Sequence, residues 1–192
     1  MKSSISFFLS LILTTSSFSQ TINDLENKKG FKEFRLGDSY HKWSNQLREI
    51  SNTSNNSDKL YHYEGYCCRQ AFQNEVDHIF LSFKDNKLID ITVFLKYFRG
   101  SKNSDLQIGF EEYPEPYMRL LNDFNSIFGN YNKKSLSGTE DAIFDGGEMW
   151  STYWESQNVV LIVKYYNYLK YDYSTFSILD KNELIRKRQS SF

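Results

Sequence analysis

Residues Asp77–Leu95, DHIFLSFKDNKLIDITVFL, constrain the fold more than any other stretch. Ile79, Leu81 and Phe83 alternate along one arm, and Ile89, Ile91, Val93 and Leu95 along the other. Side chains two apart in a strand share a face, so this pattern predicts two strands, each with one apolar face. Lys84-Asp85-Asn86-Lys87 lies between them, and Asp and Asn tolerate the left-handed backbone of a tight turn. A lone hairpin with a greasy face is marginal in water. The rest of the chain must supply further strands and a cover.

The other segments supply both. Aromatic residues make up 17% of the chain, with 14 Tyr, 16 Phe and only 2 Pro, a balance that favours a half-buried antiparallel sheet. Leu60–Tyr66 alternates Leu60 and His62 against Tyr61 and Tyr63. Glu148–Glu155, Val159–Tyr166 and Tyr171–Leu179 read as three more strands. Asp38 or Ser39 is a good N-cap, and Tyr40, Trp43, Leu47 and Ile50 recur at helical spacing, which predicts a helix over 39–50. A second helix is predicted over 117–128, with Tyr117, Leu120, Leu121, Phe124, Ile127 and Phe128 on its apolar face and Gly129 as its stop. Asp180 with Glu183 starts a short basic tail helix, Lys181–Arg188. Gln20–Lys29 and Asn130–Glu140 read as loops. The fold class is therefore α+β: a twisted antiparallel sheet with two helices on one face. Helix 39–50 with hairpin 77–95, and helix 117–128 with hairpin 148–166, form an internal helix–hairpin repeat.

Lys2, the apolar run Ile5–Leu13 and the small residues Ser17 and Ser19 form a cleavable export signal over 1–19. The run is about half the ~20 residues of a spanning helix, and no later stretch is long and apolar enough to cross a membrane. Residues 20–192 read as a single domain, with one helix–hairpin unit over 30–105, a second over 113–180 and a tail over 181–192. The expected location is periplasmic or extracellular. A formal net charge of −1 gives no general attraction for nucleic acid.

Chemistry is sparse. Cys67 and Cys68 are adjacent, and read either as free thiols or, in an oxidising compartment, as a vicinal disulfide or one intermolecular bond. His41, His62 and His78 are the only histidines. A thiol–histidine pair, or a metal set of His62, His78 and a cysteine, lacks the usual ligand spacing, so no catalytic residue, metal ligand or cofactor is assigned. Phosphate-loop, nucleophile-elbow and zinc-protease signatures do not occur in the sequence. Glu111-Glu112 reads as a solvated loop, and Asn52 and Asn55 begin N-x-[ST] patterns in a polar loop.

The aromatic stripe is the leading binding candidate. Trp150 and Trp154 share a face of one strand, and Tyr165, Tyr168, Tyr171 and Tyr173 follow on its partners. Such rings either pack the core or form an exposed platform. Phe34-x-Leu36-Gly37-Asp38-Ser39-x-x-x-Trp43 and Ile127-Phe128-Gly129 resemble the helix openings and endings of small exported bacterial helix-plus-sheet repeat domains. The outer-membrane assembly lipoprotein BamE and the β-lactamase inhibitory protein are similar in layout. The resemblance implies a non-catalytic binding module for another envelope or secreted protein. The alternative is a carbohydrate-binding or glycan-processing protein that uses the Trp/Tyr face.

Overall fold

The computed structural model describes residues 22–51, 58–95, 115–131, 133–137, 149–168 and 171–189. The expected export signal over 1–19, the Asn52 and Asn55 patterns and Glu111-Glu112 lie outside them.

The chain opens with helix α1 (Ile22–Lys28) and a small hairpin of β1 (Gly30–Phe31) and β2 (Phe34–Arg35). The main sheet contains β3 (Leu47–Ser51), β4 (Lys59–Tyr63), β6 (Asn74–Lys84) and β7 (Lys87–Leu95) from the first half. The second half adds β8 (Lys133–Ser137), β9 (Met149–Glu155), β10 (Val159–Tyr168) and β11 (Tyr171–Asp180). A short β5 (Gln70–Ala71) pairs with the start of β6. The strand order is β3-β4-β6-β7-β11-β10-β9-β8, and every pairing is antiparallel. Each half is thus a four-stranded meander, and the two meanders join through their last strands, with Phe176 opposite Val93 and Ile178 opposite Ile91. The protein is α+β, as the sequence predicts.

The central hairpin forms with Asp85 and Asn86 both at positive φ, the geometry their short polar side chains tolerate. Its register slips between Ser82 and Phe83, so that Phe83 faces Leu88 and Ile89 has no residue opposite. The bulge brings Leu88, rather than Ile89, into the main core beside Ile91, Val93 and Leu95.

One face of the sheet, here the inner face, packs against α1 and α2 (Glu115–Phe128). Tyr117, Leu120, Leu121 and Phe124 of α2 are buried against it, and Gly129 ends the helix at φ 78. Ile127 and Phe128 are half-buried. The third helix, α3 (Lys181–Gln189), starts where the sequence placed the tail helix. Asp180 Oδ1 caps it by accepting from the backbone N–H groups of Asn182 (2.9 Å) and Glu183 (3.3 Å). It lies on the other, outer face, where Leu184 packs on Tyr153, Val160, Ile162 and Leu179.

Three local expectations are corrected. The helix over 39–50 is absent: Tyr40–Lys42 and Ser44–Gln46 are single 3-10 turns, and the chain then enters β3. Ser39 does cap the first turn, accepting from the His41 N–H. The segment is held by other strands instead: Gly37 N–H donates to Leu88 O, Tyr40 N–H to Asn86 O, and Leu47 pairs with Tyr63. Trp43 still reaches the core, but Ile50 is exposed on an edge strand. The expected loop over 20–29 contains α1, whose Leu25 is buried. The expected loop over 130–140 contains β8, a polar strand recruited by backbone pairing to β9.

Candidate functional site

Of the six aromatics that the sequence nominates, two are buried in the core. Trp154 is 0% exposed on the inner face, its ring 5.7 Å from Phe124 and 6.0 Å from Tyr131. Tyr165 is buried beside Tyr117. They pack the sheet against α2 and form no exposed platform. Trp150 is described by its backbone register, opposite Tyr165, and Tyr168 and Tyr171 by theirs, as a pair at the end of the β10–β11 hairpin. Only Tyr173 is seen half-exposed, and it is on the outer face, 6.4 Å from Phe94.

The structure assembles a different aromatic row there. Arg48, His62, Phe80, Thr92 and Ser177 stand opposite one another across β3, β4, β6, β7 and β11. His78 and Phe94 form the next pair along. Ring contacts run from His62 to Phe80 (5.4 Å), Phe80 to Phe94 (5.3 Å) and on to Tyr173. Phe80, Phe94 and Tyr173 are half-buried and His78 is exposed. α3 covers the neighbouring end of this face, where Lys84 pairs with Glu183 at 2.8 Å and Arg186 with Asp58 at 2.6 Å. No described element covers the ring row.

A chain of polar groups ends the row. Arg48 Nη2 lies 3.3 Å from His62 Nδ1, His62 Nε2 lies 3.1 Å from His78 Nδ1, and His78 Nε2 lies 3.3 Å from Asp77 Oδ2. A guanidinium only donates, so His62 Nδ1 accepts and His62 Nε2–H donates to His78 Nδ1. The remaining His78 N–H then faces the Asp77 carboxylate. Glu64 pairs with the Arg48 guanidinium and sits 3.8 Å from His62 Nδ1. Burial holds the His62 imidazole below its ordinary pKa, helped by His78 and Arg48, while Glu64 pulls the other way.

On the other side of β4, the loop Glu64–Arg69 carries the two cysteines joined to each other, with Cα atoms 3.8 Å apart. The vicinal alternative read from the sequence is the one present. An extended segment would point the two side chains apart, but Cys68 is left-handed at φ 69, and the loop is a series of bends. Tyr63 Oη–H donates to Gln46 Oε1 (2.7 Å) and reaches Cys67 Sγ (3.2 Å). Gly65 fits because a Cβ there would collide with the Tyr63 and Gln46 side chains. Tyr66, 97% exposed, is the tip.

Among the described residues no group of three or more His, Cys, Asp or Glu converges on one point. A hollow of about 330 Å³ lies beside the β6–β7 turn and α3, between Lys84, Lys87, Asp180 and Glu183. It does not contain the histidines. Comparison with family models, curated proteins and solved structures found no match.

The sequence held one trace of the outer row. The alternation that buries Ile79 and Leu81 puts His78 and Phe80 on the opposite face, and Tyr61 and Tyr63 do the same for His62. That β4 lies beside β6, bringing the histidines together, required the strand order.

Proposed function

We propose that the protein is an exported, non-catalytic binding module whose partner is another envelope or secreted protein, and that the partner docks on the outer face of the sheet. The observation that carries this reading is the row His62, Phe80, Phe94 and Tyr173, half-buried across four adjacent strands. Aromatic rings offer large contact area at small cost in conformational entropy, and such anchors carry most of the energy of protein interfaces. The rim is charged, with Arg48 and Glu64 at one end and Asp77 beside His78. A charged rim around aromatic anchors is the usual anatomy of a protein-binding patch. The leader over 1–19 and the resemblance to exported binding domains support the same reading.

The test is site-specific photocrosslinking in cells that express the full chain. A photoreactive residue at Phe94 is expected to give a discrete adduct with a second polypeptide, and the same residue at Lys32, on the β1–β2 turn, is expected to give none. Equal patterns at both positions, or no polypeptide adduct, would overturn the proposal. An adduct that glycosidase treatment removes would replace it with the glycan reading. N-terminal sequencing of the exported chain is expected to begin near Gln20, and an intact Met1 would remove the export half.

A further inference from the structure

We propose that His62 and His78 form a two-imidazole site for a late first-row divalent metal ion, with Cu2+ bound most tightly. The two facing nitrogens, His62 Nε2 and His78 Nδ1, are 3.1 Å apart on strands joined by backbone pairing. With metal–nitrogen bonds of ~2.0–2.1 Å, that spacing corresponds to a ligand–metal–ligand angle of roughly 100°. This lies between square-planar and tetrahedral geometry, and the ion would take the place of the hydrogen bond between the two rings.

The outer nitrogens are already provided for. His78 Nε2 faces Asp77 Oδ2 at 3.3 Å, the carboxylate–histidine arrangement that fixes a ligand's tautomer. His62 Nδ1 accepts from Arg48 Nη2 at 3.3 Å and has Glu64 Oε1 at 3.8 Å. Metal binding replaces the hydrogen bond between the rings. The proton on His62 Nε2 moves to Nδ1, and the Arg48 guanidinium, which donates to Nδ1 in the free protein, turns away while keeping its pairing with Glu64, so a neutral pair binds the ion with no net proton release. His78 is 47% exposed, which leaves room for water or a partner group to complete the coordination.

Cysteine is not a ligand. Cys67 is bonded to Cys68 and faces Tyr63, on the inner side of β4, whereas His62 is on the outer side. Two imidazoles and no thiolate favour Cu2+ over Ni2+ and Zn2+ by the ordinary stability order. The site stands whether or not a protein docks on the same face.

The experiment is titration of the tag-free chain with Cu2+, read by electron paramagnetic resonance. The expected result is one saturable site with hyperfine coupling to two nitrogens. His78→Ala, at an exposed position, and His62→Ala are each expected to weaken binding at least 10-fold with far-ultraviolet circular dichroism unchanged. Asp77→Asn should weaken it about 10–100-fold, the range for an outer carboxylate partner. His41→Ala should have no effect. Retained two-nitrogen coupling in His78→Ala, loss of the signal in His41→Ala, or no saturable binding would overturn the proposal. Repeating the Phe94 crosslinking with chelator separates the two readings: an adduct that persists leaves the partner proposal standing whatever the metal titration gives.

Discussion

Trp154 donates its indole N–H to the carbonyl of Gly129 at 2.8 Å. That single bond ties β9 to the residue that ends α2. Gly129 N–H in turn closes the helix by donating to Asn125 O at 3.0 Å. The sheet and the helix are therefore joined by a polar contact as well as by the packing of Phe124 on the Trp154 ring.

Two substitutions separate the two contributions. Trp154→Phe keeps a ring but leaves the Gly129 carbonyl without its donor, and is expected to cost about 1–3 kcal/mol plus a smaller term for the lost ring volume. Phe124→Ala removes a buried ring in contact with Phe72, Phe128, Trp154 and Phe176. It is expected to cost about 3–5 kcal/mol. Urea unfolding of both variants measures these losses. A loss under about 1 kcal/mol for Phe124→Ala would contradict the packing described for α2.

Glu26 gives stability a pH dependence. Partial burial pushes its carboxyl up, but hydrogen bonds from the Ser156 hydroxyl, the Asn158 side chain and backbone, and Lys29 outweigh it, bringing its pKa from 4.5 down to about 2. A depressed folded-state pKa adds stability that is present above 4.5 and is lost as pH falls from 4.5 through 2. Glu26→Gln should therefore lower the urea midpoint at pH 7, and the gap from the parent protein should narrow by pH 3. A gap that does not change with pH would show that the bonds between α1 and the β9–β10 turn do not depend on the charge.

The cysteines make a chemical prediction. Iodoacetamide should label neither Cys67 nor Cys68 in the native protein, nor after unfolding without reductant, because the two are bonded to each other. After reduction both should label, and intact mass should rise by two adducts. Labelling of the unfolded, unreduced chain would show free thiols.

Several features were legible because they depend on near neighbours. The alternation in 79–95 specified the central hairpin, and the Asp85-Asn86 pair its turn. The spacing of Tyr117, Leu120, Leu121 and Phe124, with Gly129 after them, specified α2. Asp180 specified the start of α3. Each follows from a period of two or of 3.6, or from a cap within four residues.

The same local reasoning failed at 39–50. Tyr40, Trp43 and Leu47 have helical spacing, but backbone bonds to the β6–β7 turn and to β4 satisfy that segment better than a helix would. It failed again at β8, which has no apolar alternation and exists because β9 offers an edge to pair with.

The sequence by itself determined that the chain makes a half-buried antiparallel sheet with amphipathic helices, and which residues of each strand share a face. Only the tertiary structure decided which face α1 and α2 cover. That choice buried Trp154 and Tyr165 and left Phe80, Phe94 and Tyr173 half-exposed on the other side. Only the strand order, with β4 beside β6, brought His62 to 3.1 Å from His78, residues 16 apart in the chain. Pairing between strands is non-local: its energy depends on edges supplied by distant segments, and a local sequence pattern carries no record of which edge will be free.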